Sequence, residues 1–241
     1  MLSDRKDPDV KRRLPKIIRH KGKTPCRRKA GESIVFILLY MSLYLSALAI
    51  SVVMCAQNSD LYLKIQNKCG LFTGFGALDR SEVLKMNEEL TAYLSGKTAY
   101  IENASVRANT HMQDVRRIFD GVKGAGGLLI ALSAFWMYMN RKAKAKDACI
   151  FGWTPLIMTC VIVLFLQRSD FSIHFQRFHE TFFDNDLWRL DPNEDFMIRC
   201  LPEEFFYRMA MAALFYALIV YGGFTFISIL LFNKIGRRDS K

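Results

Sequence analysis

The chain has 241 residues, 51% of them hydrophobic, and a formal net charge of +11. A soluble domain of this length could bury one good core, but the apolar residues are gathered into four long blocks with the charges between them. That excludes an ordinary soluble globule and predicts an α-helical integral membrane protein with four transmembrane helices and a small extracytoplasmic domain built from the two larger connections.

Residues 1–33 form a basic arm, dense in "KRRLPKIIRHKGKTPCRRK". No aromatics interleave these charges and no nucleic-acid-binding motif accompanies them, so anionic lipid, not nucleic acid, is the expected partner. Residues 34–56, "IVFILLYMSLYLSALAISVVMCA", are long enough to span a bilayer core of about 30 Å. They exceed a typical signal-peptide apolar region, and no small-x-small cleavage site closes them. The block is read as a retained helix.

Residues 57–121 carry balanced charge. Some β structure is expected near Leu61 to Ile65. "LDRSEVLKMNEELTAYLSG" predicts a short helix, with Asp79 and Glu82 as a capping box, Gly96 as the stop, and Leu84, Leu90, Tyr93 and Leu94 as its apolar side. A second helix is expected to start near Ala108 and to run into the second membrane block, residues 122–140. Residues 141–149, "RKAKAKDAC", are basic. Residues 150–167 form the third block. Residues 168–208 are acidic on balance, residues 209–232 form the fourth block, and residues 233–241 are a basic tail. The order basic, mixed, basic, acidic, basic places both termini and the short loop in the cytoplasm, and the two larger connections outside. Of the six cysteines, Cys69 and Cys200 fall on the same outer side, which leaves a disulfide between them open. No CxxC spacing supports a zinc site.

Three of the four histidines lie in the outer connections. As a helix, the stretch from Phe171 places Phe171, Phe175, Phe178 and Phe182 on one stripe, flanked by His174 and His179 about 140° apart. Two rings so placed do not converge on one metal, whereas an i, i+4 pair would. Docking on other helices or on lipid explains the stripe, and a hydrogen-bonded packing residue explains either histidine alone. His111 has Val115 and Ile118 on its face. Asp114 at i+3 is within reach of the imidazole, where a carboxylate fixes the tautomer. An ordinary helix pair worth a few tenths of a kcal/mol explains it equally. Together, two histidines outside the same membrane face suit proton transfer near neutral pH. There is no GxSxG elbow, P-loop or dinucleotide-binding fingerprint.

"HMQDVRRIF" followed by "FQRFHETFFDNDLWRLDPNEDFMIRCLPEEFF" resembles the bacterial lipoprotein intramolecular transacylase family, over roughly residues 34 to 235. The resemblance implies an acyltransferase without a cofactor or metal. The family moves the sn-2 acyl chain of a diacylglyceryl-cysteine onto the α-amino group of the same cysteine, at the outer face of a Gram-positive cell membrane. By motif it implies His111 and His179 as the catalytic pair, one acting on the amine and the other, oriented by Asp114, on the oxyanion or leaving oxygen. His174 matches no motif. Arg177 is an expected electrostatic assistant, Phe175, Phe178 and Phe182 an expected acyl-chain wall, and the enzyme an expected monomer. Two other readings stay open at this point: a metal-dependent hydrolase at the membrane surface, and a non-enzymatic sensor or scaffold.

Overall fold

The computed structural model describes residues 30–139 and 150–238. The expectations for nearly all of the basic arm, for the loop 141–149 and for the last tail residues lie outside them. The described residues form helices and no strands: α1 (Ala30–Ala56), α2 (Ser59–Lys68), α3 (Arg80–Ser95), α4 (Val106–Met139), α5 (Thr154–Arg168), α6 (Phe171–Phe182), α7 (Phe196–Cys200) and α8 (Glu203–Arg238).

Three stretches are long and apolar enough to cross a membrane: Ser33–Ala56 in α1, Val106–Met139 in α4 and Glu203–Lys234 in α8. The third block departs from the single continuous helix expected over residues 150–167. Its first turn breaks at Gly152 and Trp153, and the helix restarts at Thr154 with Pro155 in the opening turn, where a missing N–H costs nothing. The resulting α5 has 15 residues, about 22 Å at 1.5 Å per residue. It then bends by 111° into α6. Asp170 makes that bend: its backbone is extended and its carboxylate accepts from Ser172 N (3.0 Å), starting a new helix.

Within the bundle α1 is the central helix. Tyr40 Oη pairs with Ser228 Oγ on α8 (2.9 Å), Ser42 Oγ with Ser133 Oγ on α4 (2.7 Å), and Thr159 Oγ1 on α5 donates to Tyr44 Oη (2.6 Å). A Cβ on Gly126 would stand 3.0 Å from Ala49 Cβ, so glycine sets how closely α4 approaches α1. Hydroxyl pairs and small residues are the means by which helices associate where lipid removes the hydrophobic drive. Phe135, Leu164 and Phe226 point outward, each more than half exposed, as a lipid-facing surface requires.

The remaining helices form an outer layer with its own core. Asn58 caps α2 by accepting from Leu61 N (2.9 Å), and Tyr62, Ile65 and Gln66 are buried on one face. That i, i+3, i+4 spacing is helical, and it overturns the β structure expected near Leu61 to Ile65. Asp79 caps α3, accepting from Ser81 N (2.8 Å) and Glu82 N (3.1 Å), and Gly96 ends it at φ +85°. The buried face of α3 is Val83, Met86, Asn87, Leu90, Tyr93 and Leu94; Leu90, Tyr93 and Leu94 lie on it as expected, while Leu84 is only half-buried at its edge. Gln66 and Asn87 form a reciprocal amide pair (2.9 and 2.7 Å), and Gln66 Nε2 also donates to Cys200 O (3.0 Å). One buried pair thereby ties α2, α3 and α7. Cys69 and Cys200 are free thiols, not a disulfide. As expected, α4 starts in this layer, at Val106, and continues unbroken into its apolar stretch.

Candidate active site

His111 sits in the second turn of α4. Ser105 Oγ accepts from Ala108 N (3.0 Å) and starts the helix. Asn109 stitches the preceding loop to it, accepting from Ile101 N (2.8 Å) and donating to Ile101 O (2.9 Å). Asp195, which caps α7 through Met197 N (2.8 Å), also accepts from Ser105 N (3.2 Å). The two outer connections are thus fastened together at the point where α4 begins.

His179 sits in the last turn of α6. Its Nδ1 lies 2.7 Å from Phe175 O. A carbonyl only accepts, so Nδ1 carries the proton and Nε2 holds the free lone pair. Aromatic rings surround it: Phe175 (centroids 4.3 Å apart), Trp188 (4.6 Å, stacked), Phe178 (5.4 Å) and Phe183 (5.6 Å, stacked). The His111 ring lies 6.0 Å from that of His179 and packs edge-on against Phe183 at 4.9 Å. Both histidines are more than nine-tenths buried.

Burial decides their charge. His111 has its pKa lowered from 6.5 to about 4, first by loss of solvent, then by the neighbouring His179, while the Asp114 carboxylate pulls it back up. His179 is lowered by burial, against which the Phe175 carbonyl works. Both rings are therefore neutral at pH 7, able to accept or donate a proton. Continuous apolar character in α4 begins only near Val122, about four turns after the helix starts, so His111 precedes it.

The two rings line an apolar cavity of about 520 Å³. Its walls come from α6 (Phe171, Phe175, Phe178), from the following loop (Phe183, Trp188), and from the membrane helices (Val52, Met209, Ala213). This is a volume and lining suited to a hydrocarbon chain.

The expected site residues divide. His111, His179, Phe175 and Phe178 are brought together on the cavity. Phe182 stacks on Phe178 (4.7 Å) but is exposed and lies off the cavity. Arg177 is exposed on α6 and does not reach the cavity. Asp114 does not hold His111. Its carboxylate pairs with Arg117 (2.9 Å) and accepts from Asn185 Nδ2 (3.1 Å), while Nδ1 of His111 is buried without a hydrogen-bond partner. The field of Asp114 reaches the ring without a bond to it. His174, left without a role, also lines the cavity, on the far side of Phe175 from His179, with its ring 5.1 Å from Phe165. Sequence reasoning missed Phe183 and Trp188. Phe183, the residue that ends α6, stands four residues after His179 and could have been found by that spacing, but Trp188 arrives through a loop and leaves no such signal. Among the described residues no group of three or more His, Cys, Asp or Glu is placed to hold a metal.

The fold has counterparts. A structure of the membrane-integral lipoprotein intramolecular transacylase Lit from Bacillus cereus superposes with a TM-score of 0.69, covering 88% of this chain and 99% of that one at 21% identity. Two structures of the same protein with a histidine replaced by arginine or by alanine superpose at 0.63 and 0.64, each over 86% of this chain and at 21% identity. At that identity the likeness shows a shared fold. A search of the curated proteins finds no match. The profile of the family described as lipoprotein intramolecular transacylase Lit matches residues 37–206, which include both histidines and every loop between them. The chain belongs to the lipoprotein intramolecular transacylase (Lit) family.

Proposed function

We propose that the chain moves the sn-2 acyl group of a diacylglyceryl-cysteine to the α-amino group of the same N-terminal cysteine, giving a lyso-form lipoprotein, with His111 and His179 as the acid–base pair. The observation that carries this reading is their convergence: two buried, neutral imidazoles from different helices, 6.0 Å apart, on the wall of an apolar cavity.

In this reading Nε2 of His179 takes the proton of the amine as nitrogen attacks the ester carbonyl. His111 stabilises the oxyanion and protonates the glycerol oxygen as the C–O bond breaks. His179 gains one proton and His111 gives one, and return of the proton from the first ring to the second restores both neutral imidazoles, so no further reactant is needed. Donor ester and acceptor amine share one molecule, and holding them together supplies about 7–11 kcal/mol in favourable cases. No acyl-enzyme is required, in keeping with the missing serine elbow. The acyl chain lies along Phe175 and Phe178, with Phe182 extending the wall at its rim. His111 is oriented by packing on Phe183, and Asp114 acts through its field. Arg177, exposed, takes no part.

The chain is placed as a four-span protein, with α1, α4, α5 and α8 crossing a Gram-positive cell membrane. Both termini are cytoplasmic, and the outer layer forms a small domain over an outward-facing site. It works as a monomer surrounded by membrane lipid, on diacylated lipoproteins. The test is incubation of the purified protein with a synthetic diacylated lipopeptide, followed by tandem mass spectrometry. Unchanged parent mass with an N-acyl fragment supports the reading. Loss of one acyl mass points to a hydrolase, and no change with several lipopeptides points to a sensor or scaffold.

A further inference from the structure

A second depression lies on the other side of α4. It is polar and open, and it is lined by Lys97, Gln113, Arg116, Arg117 and Asp120 around Tyr93 and Gly96. At about 100° per residue, Arg116 and Asp120 stand about 140° and 180° around α4 from His111. The depression is therefore separate from the acyl cavity.

Two hydrogen bonds set its height. Leu94 O accepts from Gln57 Nε2 (3.3 Å) and from Lys123 Nζ (3.3 Å). Gln57 directly follows α1, and Lys123 stands at the start of the apolar stretch of α4. The last turn of α3 is thus pinned where two spans leave the membrane, at the level of lipid headgroups.

The cations there are unevenly neutralised. Arg117 pairs with Asp114 (2.9 Å) and Lys123 with Asp120 (3.0 Å). Arg116 and Lys97 have no carboxylate partner among the described residues. Arg116 is nonetheless held in place: Nη1 donates to Thr98 O (3.0 Å), and Cζ lies 5.1 Å from the Tyr93 ring centroid. A Cβ on Gly96 would meet Nη2 at 3.3 Å, so the left-handed glycine that ends α3 also admits the guanidinium. A half-buried guanidinium fixed by a carbonyl and a ring, with a free lysine beside it, presents forked donors to a tetrahedral anion.

We propose that this depression binds the phosphate of an anionic lipid headgroup, with Arg116 and Lys97 as its ligands. The inference rests on the membrane placement above but not on the acyl-transfer chemistry. A diacylglyceryl-cysteine carries no phosphate, so the ligand is a second lipid and not the substrate.

The test uses the full chain in a neutral detergent, titrated with short-chain phosphatidylglycerol, phosphatidylcholine or inorganic phosphate while the unfolding midpoint is followed. Phosphatidylglycerol is expected to bind more tightly than phosphatidylcholine. Each headgroup-level cation contributes about five-fold, so Lys97→Gln weakens binding about five-fold and the double variant with Arg116→Gln on the order of 25-fold. The basic arm is present in every sample and cancels. A control pair on α2, Lys64→Gln with Lys68→Gln, removes the same charge from an exposed face elsewhere and is expected to leave binding within about two-fold, since neither lysine lines the depression. Equal loss in the control would mean diffuse attraction and overturn the site. Inorganic phosphate binding as tightly as the lipid would overturn the lipid as its source. Acyl transfer to the lipopeptide is measured separately, and its failure would leave this result standing.

Discussion

In the membrane bundle hydroxyls tie one helix to another: Tyr40 to Ser228, Ser42 to Ser133, Thr159 to Tyr44, and Tyr221 to the Gly152 carbonyl. In the outer layer a single amide pair, Gln66 with Asn87, is enclosed by an apolar core that includes Tyr62, Val83, Met86, Leu90 and Phe205. Water explains the difference. Outside the membrane, burial of apolar surface drives assembly, and a polar pair is tolerated only when every arm is met. Inside, lipid offers apolar side chains no less than a neighbouring helix does, so close approach and hydrogen bonds select the partner. The cavity lies at the seam, with Val52 and Ala213 from one region and Phe183 and Trp188 from the other.

The largest expected effect falls at that seam. His179→Ala should lower turnover by about 10²–10⁴-fold, the usual contribution of a general acid or base, with helicity and unfolding midpoint preserved. A variant with full turnover would remove His179 from the chemistry. Acidification should come next. Folded His111 titrates at about 4 against 6.5 for the free group, so between those values the unfolded chain takes up a proton that the folded chain refuses. Stability is then fully present above about 6.5, falls as the pH drops, and stops falling below about 4. His111→Gln should flatten this slope in unfolding curves taken between pH 7 and 4.5, and an unaltered slope would locate the acid sensitivity elsewhere. The comparison of regions itself is sharpened by two single changes. Asn87→Leu leaves the Gln66 amide buried without its partner and should cost about 1–3 kcal/mol. Ser42→Ala removes a hydroxyl pair inside the membrane and should cost about 0.6 kcal/mol, the typical value there. Equal losses in thermal unfolding would erase the distinction.

What the sequence disclosed follows the same division. The apolar runs of α1, α4 and α8 are continuous, and hydropathy alone locates them. The caps of α3 at Asp79 and Gly96 are local chemistry and were legible. The break at Gly152 and Trp153 was hidden because apolar character continues across it. α2 was misread because it is short, and its burial rests on Gln66 as much as on Tyr62 and Ile65. The pairing of His111 with His179 was reached through motif and not spacing, since the residues lie far apart in sequence. Asp114 was assigned to the nearer imidazole, yet it turned to Arg117 and Asn185, a competition that only tertiary structure resolves. The hydroxyl pairs of α1 could not be foreseen, because serines and tyrosines in an apolar run do not reveal which neighbour they face.

The unbroken course of α4 has a mechanical consequence. No proline, bend or bulge separates His111 from Val122, where the apolar stretch begins, so the imidazole rides on a rigid post at most about 16 Å tall at 1.5 Å per residue. In the proposed reading the ester comes to the imidazole and not the reverse, its chain laid along Phe175 and Phe178 in the cavity.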